Sequence, residues 1–261
     1  MKVETPAGAL NVRTTGNGNV AVLVLHPLAL SGEVWAPMAA ALGAEFTVLA
    51  LDARGHGDSQ WDGKPFTVEE LADDAAAAIR AHGSGPVGVV GMSMGGSTAV
   101  SLAIRYPDLV DRLVLADATA CYGPDRVEAW AERARGAASK TREEQIPFQL
   151  TRWFSDGFNA DHGDEAQRVV DIFLATDRYA HAAACEALGG FDASVELRNI
   201  TAPTLVLVGD EDYATPPSMA EELAAGIPDA RLELLRQTRH LSLVERPDVW
   251  PTVAAHLRGT E

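Results

Sequence analysis

Short apolar runs alternate with longer segments of helical pattern through most of this chain, and that alternation constrains its fold more than any other feature. Runs rich in valine and leucine lie at residues 10–14, 20–25, 46–51, 87–90, 113–116, 205–208 and 232–235. Helix-like segments lie at 34–42, 68–82, 94–105, 218–225 and 249–257. Parallel strands need a crossover of a dozen or so residues, usually a helix. The pattern therefore predicts an α/β fold: a mostly parallel central sheet with helices on both faces. The first two runs are expected to pair antiparallel.

The alternation stops once. Residues 119–197 carry no strand pattern and are rich in Ala, Glu and Arg, with Trp130, Trp153, Phe154 and Phe158 among them. The segment sits between a strand ending at Asp117 and one beginning near Thr204, so it is inserted into the sheet order. A helical cap there would roof the C-terminal edge of the sheet, where open α/β folds bind ligands. The predicted organisation is a core of residues 1–118 and 198–261 with a cap of 119–197. A chain of 261 residues with 47% hydrophobic content is long enough for one such domain.

Composition excludes several functions. The formal charge of −16, without any Lys/Arg-rich run, argues against nucleic acid as a partner. The longest apolar stretch, 20–30, is broken by His26 and Pro27 and is too short to cross a bilayer, so no membrane association is expected. The N-terminus has no basic segment followed by an apolar one, which makes a cytoplasmic location the expectation. Cys121 and Cys185 are too few for a disulfide framework or a four-ligand zinc site and read as packed small side chains. No paired-histidine spacing suggests a metal, and no cofactor is expected. Oligomeric state is not encoded in any of these features. An anionic substrate would require a local cation to overcome the negative field of the chain.

The chemistry begins directly after the 87–90 run. Gly91-Met92-Ser93-Met94-Gly95-Gly96 leads from that strand straight into a helix, the setting of a G-x-S-x-G nucleophile elbow. Glycines are needed because flanking side chains would collide with the neighbouring strand and helix. A serine hydroxyl attacks well only when a base removes its proton in the transition state. Among seven histidines, His240 follows the last strand and precedes the final helix, the place this fold keeps for its base. His56 lies in a turn-rich loop and His26 follows a strand, and both read as structural. The chain order serine, acid, histidine puts the carboxylate in Gly209-Asp210-Glu211-Asp212. Asp212, farthest out in the loop, is the candidate. Asp210 is the alternative, and Asp117, at an earlier strand end, is another. The oxyanion donors would be the N–H groups of Met94 and of Leu28, since Pro27 has none. Such a set points to cleavage of a small-molecule ester or lactone by a serine nucleophile.

With these residues in place, the sequence resembles the 3-oxoadipate enol-lactonases, members of the α/β-hydrolase fold. The likeness is carried by Ala214-Thr215-Pro216-Pro217, by the stretch from His240 through Pro247, and in the cap by Trp130-Ala131-Glu132-Arg133, Arg152-Trp153-Phe154, and Tyr179 with Ala184 to Leu188. The resemblance implies opening of a five-membered enol-lactone bearing a carboxymethyl group, in aromatic-compound catabolism. It also implies that Trp130 and Arg133 contact the substrate, with Arg133 supplying the cation for its carboxylate. A carboxylesterase, or a hydrolase of other small lactones, remains the alternative.

Overall fold

A computed structural model describes residues 1–260 of the chain. Its strands are β1 (Lys2–Thr5), β2 (Gly8–Thr15), β3 (Val20–Leu25), β4 (Phe46–Leu51), β5 (Val87–Met92), β6 (Val110–Ala116), β7 (Thr204–Gly209) and β8 (Ala230–Leu235). They form one sheet in the order β1-β2-β4-β3-β5-β6-β7-β8, with β1, β2 and β4 paired antiparallel and the rest parallel. The expected pairing of the first two runs is thus corrected: β2 and β3 are separated by β4. Every residue of β4 is buried, whereas β2 alternates with partly exposed positions. A strand that is apolar on both faces belongs inside the sheet, which leaves the edge to the amphipathic β2 and to β1, a strand too polar to be seen in the sequence.

The helices are α1 (Ala36–Leu42), α2 (Val68–His82), α3 (Met94–Arg105), α4 (Arg126–Ser139), α5 (Arg142–Trp153), α6 (Asp156–Asp161), α7 (Gly163–Ala175), α8 (Arg178–Gly190), α9 (Pro217–Gly226), α10 (Ser242–Glu245) and α11 (Trp250–Arg258). A Cβ added at Gly88 of β5 would meet Leu257 of α11 at 2.6 Å, while one at Gly91 would meet Gly95 of α3 at 2.3 Å. Positions 88 and 91 point to opposite faces of a strand, so α11 and α3 cover the two sides of the sheet. The helix starts follow local rules. Thr67 and Glu70 form a reciprocal capping box on α2, and Thr141 and Glu144 form one on α5.

Between β6 and β7 the chain forms α4 to α8 and no strand. Helices α4 and α8 approach closely at Gly189, where a Cβ would lie 2.9 Å from the Cβ of Trp130 and 3.4 Å from Arg126 O. Trp130, Trp153, Phe154, Phe158 and Phe173 are buried here, in one apolar cluster continuous with the core of the sheet. At about 25 cal/mol per Å² of apolar surface, each such ring contributes a few kcal/mol. Cys185 is fully enclosed, as expected, and burial pushes its thiol up to about 12. Cys121 is instead half-buried and bridges through its backbone to Asp192. No described helix is long and apolar enough to cross a membrane.

Sheet order places the site. From β3 the chain passes to β4 on one side and returns to β5 on the other, so the loops leaving β3 and β5 diverge and open a crevice at the C-terminal edge. The β3 loop carries His26, Pro27 and Leu28, and the β5 loop carries Ser93.

Candidate active site

Ser93 occupies the turn between β5 and α3 at φ 56°, ψ −118°, a backbone conformation that L-residues avoid at a cost of about 1–3 kcal/mol. Its surroundings enforce it: Ser93 N–H donates to Ala116 O at 3.0 Å, and Ser97 N–H donates to Ser93 O at 3.0 Å. The glycines are required as the motif implied. A Cβ at Gly95 would come within 2.1 Å of Leu25 O, and one at Gly96 within 2.3 Å of the Ala118 Cβ.

Ser93 Oγ lies 2.8 Å from His240 Nε2, and His240 Nδ1 lies 2.8 Å from Asp212 Oδ2. Asp212 also accepts from Thr215 Oγ1 at 2.8 Å and from the N–H groups of Ala214 and Thr215 at 2.7 and 3.1 Å. Burial alone would raise the pKa of this carboxyl, but the His240 ring and the Thr215 donors hold it below the usual range. It is therefore a carboxylate at neutral pH, which fixes His240 with Nδ1–H toward Asp212 and a free lone pair toward Ser93. Such a hydroxyl can lose its proton as it attacks a carbonyl.

The two alternative acids lie elsewhere. Asp210 turns toward Arg236, at 3.4 Å. Asp117 is fully buried and accepts from Gly209 N–H at 3.3 Å and Ser242 N–H at 2.8 Å, so it ties the Asp212 loop to the His240 loop. Burial and the nearby Asp212 charge raise its pKa well above the usual carboxylate range.

Leu28 lines the pocket at Ser93 and Met94 follows Ser93 as the first residue of α3, and among the described residues neither N–H is spent on a protein acceptor. His26 shapes the Leu28 loop as expected: its Nδ1–H donates to Pro27 O at 2.8 Å and its Nε2 accepts from Ala53 N–H at 3.0 Å. His56 packs against it, ring centroids 5.2 Å apart. Burial lowers the pKa of both, that of His56 to about 3, and burial with the adjacent Arg142 charge lowers that of His181. Neutral in the fold but protonated when unfolded below pH 6.5, each draws the unfolded chain forward as pH falls. The raised carboxyls of Asp117 and Asp74, both lifted by burial, act in the opposite sense. At pH 5 a fully neutral histidine costs about 2 kcal/mol of stability relative to pH 8. With His56 held neutral, thermal unfolding followed by circular dichroism is expected to show a lower midpoint at pH 5 than at pH 8. An unchanged midpoint would mean that these rings accept protons in the fold or that the raised carboxyls offset them.

The predicted contacts Trp130 and Arg133 stand in the wall around Ser93, together with Tyr122, Arg152 and Trp153. Tyr122 packs edge-on to Trp130 at 4.8 Å. Four of these residues, Tyr122, Trp130, Arg133 and Arg152, also line a cleft of about 800 Å³ between α4 and α5. The wall around Ser93 and the cleft therefore share residues of α4 and α5. Arg152 was visible in the sequence only as part of the family likeness, since an arginine near a helix C-terminus is more often solvated.

The sequence model of the alpha/beta hydrolase fold matches residues 20–247. The chain is 28% identical to 3-oxoadipate enol-lactonase 2 of Acinetobacter baylyi, over 93% of its own length and 90% of the relative. The solved enol-lactonase of Burkholderia xenovorans LB400 superposes with a TM-score of 0.90 at 32% identity, covering 96% of each chain. A thermophilic esterase of Thermogutta terrifontis, solved with malate bound, superposes with a TM-score of 0.91 at 28% identity, covering 100% of this chain and 98% of the esterase.

Proposed function

The chain belongs to the α/β-hydrolase family, and on that premise we propose that it is a serine hydrolase that opens a small enol-lactone, converting 3-oxoadipate enol-lactone to 3-oxoadipate in aromatic-compound catabolism. The observation that carries the reading is the continuous hydrogen-bonded series Ser93, His240, Asp212 beneath a wall containing Trp130 and Arg133. The likeness to two enol-lactonases supports the substrate. On this reading residues 119–197 are the cap, and 1–118 with 198–261 are the core.

Ser93 Oγ attacks the lactone carbonyl while His240 Nε2 takes its proton. The N–H groups of Leu28 and Met94 receive the developing oxyanion. The ring C–O bond then breaks, and the enol oxygen leaves with the proton returned by His240 and ketonises. Water, deprotonated in turn by His240, attacks the acyl-serine and releases the carboxylic acid, so one water is consumed and no redox partner is needed. Trp130 packs against the ring, and Arg133 pairs with the carboxymethyl group by a charge-assisted hydrogen bond.

The cleft of about 800 Å³ favours a second reading, a carboxylesterase or a hydrolase of other small lactones, because it exceeds the needs of a five-membered ring. One experiment separates the two. Enol-lactone generated in situ is followed by its ultraviolet absorbance with wild type and with buffer, with EDTA present in a parallel set. Rapid loss with the enzyme, unchanged by EDTA, is the expected result. Loss no faster than in buffer, together with turnover of p-nitrophenyl acetate, would leave a hydrolase but overturn the lactonase assignment.

A further inference from the structure

Two guanidiniums at the seam between the Ser93 pocket and the cleft have no carboxylate partner among the described residues. Arg133 of α4 lies over the rings of Trp130 and Phe148, at 4.9 and 5.8 Å. Arg152 of α5 lies over the same Phe148 ring at 5.8 Å and over Tyr213 at 5.9 Å. Two other arginines along the cleft are paired: Arg126 with Asp192 at 3.3 Å, and Arg135 with Glu128 at 3.2 Å; Lys140 lies on the same cleft without a carboxylate partner among the described residues.

The pair is electrostatically incomplete. Burial lowers the pKa of Arg152, and the charge of Arg133 lowers it further, to about 10, which still leaves it charged at neutral pH. Like charges brought to one aromatic ring and partly withdrawn from water repel each other, and an anion between them relieves that cost. Asp212 cannot serve, because His240, Thr215 and the Ala214 N–H already occupy its oxygens.

Arg152 is also held in a fixed relation to the reacting groups. Leu241 N–H, next to His240, donates to Trp153 O at 3.0 Å, and Arg239 Nη1 donates to Thr151 O and Phe154 O, each at 3.0 Å. Glu245 accepts from Ser155 N–H at 3.1 Å. The end of α5 is thereby bonded on both sides of Arg152 to the loop that carries the histidine.

We propose that Arg133 and Arg152 act as one subsite for a carboxylate of the substrate, with Arg152 as a specificity-determining residue, so that the preferred substrates are esters and lactones bearing a free carboxylate. The proposal rests on the serine-hydrolase reading of the same site and extends its single cation to a pair. A carboxylate held between two guanidiniums receives charge-assisted hydrogen bonds from both, a geometry one arginine cannot supply.

The test compares mono-p-nitrophenyl glutarate with p-nitrophenyl hexanoate, esters of similar length with and without the carboxylate. The quantity read is the ratio of their kcat/KM values. Arg152→Met keeps the apolar stem over Phe148 and removes the charge, whereas Arg152→Lys keeps the charge. The ratio is expected to favour glutarate in wild type, to fall about 30-fold in Arg152→Met and in Arg133→Met, and to fall less in Arg152→Lys. The glutarate KM of wild type should also rise with added salt, and the hexanoate KM should not. No preference for glutarate in wild type, an unchanged ratio in Arg152→Met, or equal losses in the Met and Lys variants would overturn the pair. Failure of the underlying hydrolase reading would look different: both esters would turn over unchanged in Ser93→Ala.

Discussion

Ser93→Ala is expected to lower kcat on p-nitrophenyl acetate by about 10⁴-fold or more, the loss seen when the nucleophile of a serine triad is removed. The substitution deletes one oxygen from an enclosed turn and leaves the strand, helix and glycine contacts intact, so the variant should fold. Its effect should not add to that of His240→Ala. Oxygen and imidazole act as one unit across 2.8 Å, and once either is lost the other has nothing to act on. The double variant should therefore be about as active as either single variant. A fluorophosphonate probe supplies a second readout, adding mass to wild type and none to Ser93→Ala. Residual activity above a tenth of wild type, or labelling of the alanine variant, would mean that another group attacks the substrate.

How much of this was legible in the sequence depended on whether the information is local. The elbow could be read because its glycines, strand and helix lie within residues 87–105. His240 could be placed because the fold fixes its position in chain order, and the structure brings it to Ser93 across 147 residues. The position of β4 could not be read in the same way. Pairing between β2 and β4 spans distant segments, and only the burial of β4 on both faces showed that a simple β2–β3 hairpin would leave an apolar strand at the edge. Arg152 was hidden for a related reason. Its composition is that of a solvated helix end, and only the bonds from Arg239, Leu241 and Glu245 to α5 turn it toward the reacting groups. Asp117 was noticed as an acid at a strand end, but its role in joining two loops depends on backbone donors that no residue pattern announces.

The acids should separate sharply by experiment. In Asp212→Asn the side-chain oxygen can keep accepting from the Ala214 and Thr215 N–H groups, which presents the NH₂ to His240 Nδ1. That amide donates where the carboxylate accepted. His240 is driven to the tautomer with hydrogen on Nε2, which now points at Ser93 Oγ and cannot take its proton. The expected result is a fall in kcat of about 10⁴-fold with a nearly unchanged KM, since nothing that would hold the substrate has moved. Asp117→Asn should behave differently. It keeps one acceptor for Gly209 or Ser242 N–H and loses the other. Its cost should appear as a lower unfolding midpoint, reflecting an unsatisfied N–H worth about 1–3 kcal/mol, with kcat reduced less than about 10-fold. Steady-state kinetics and thermal unfolding of both variants decide the matter. If the larger loss of kcat fell on Asp117→Asn, the carboxylate orienting His240 during turnover would be the buried one at the end of β6, and Asp212 would be a loop ligand for Thr215.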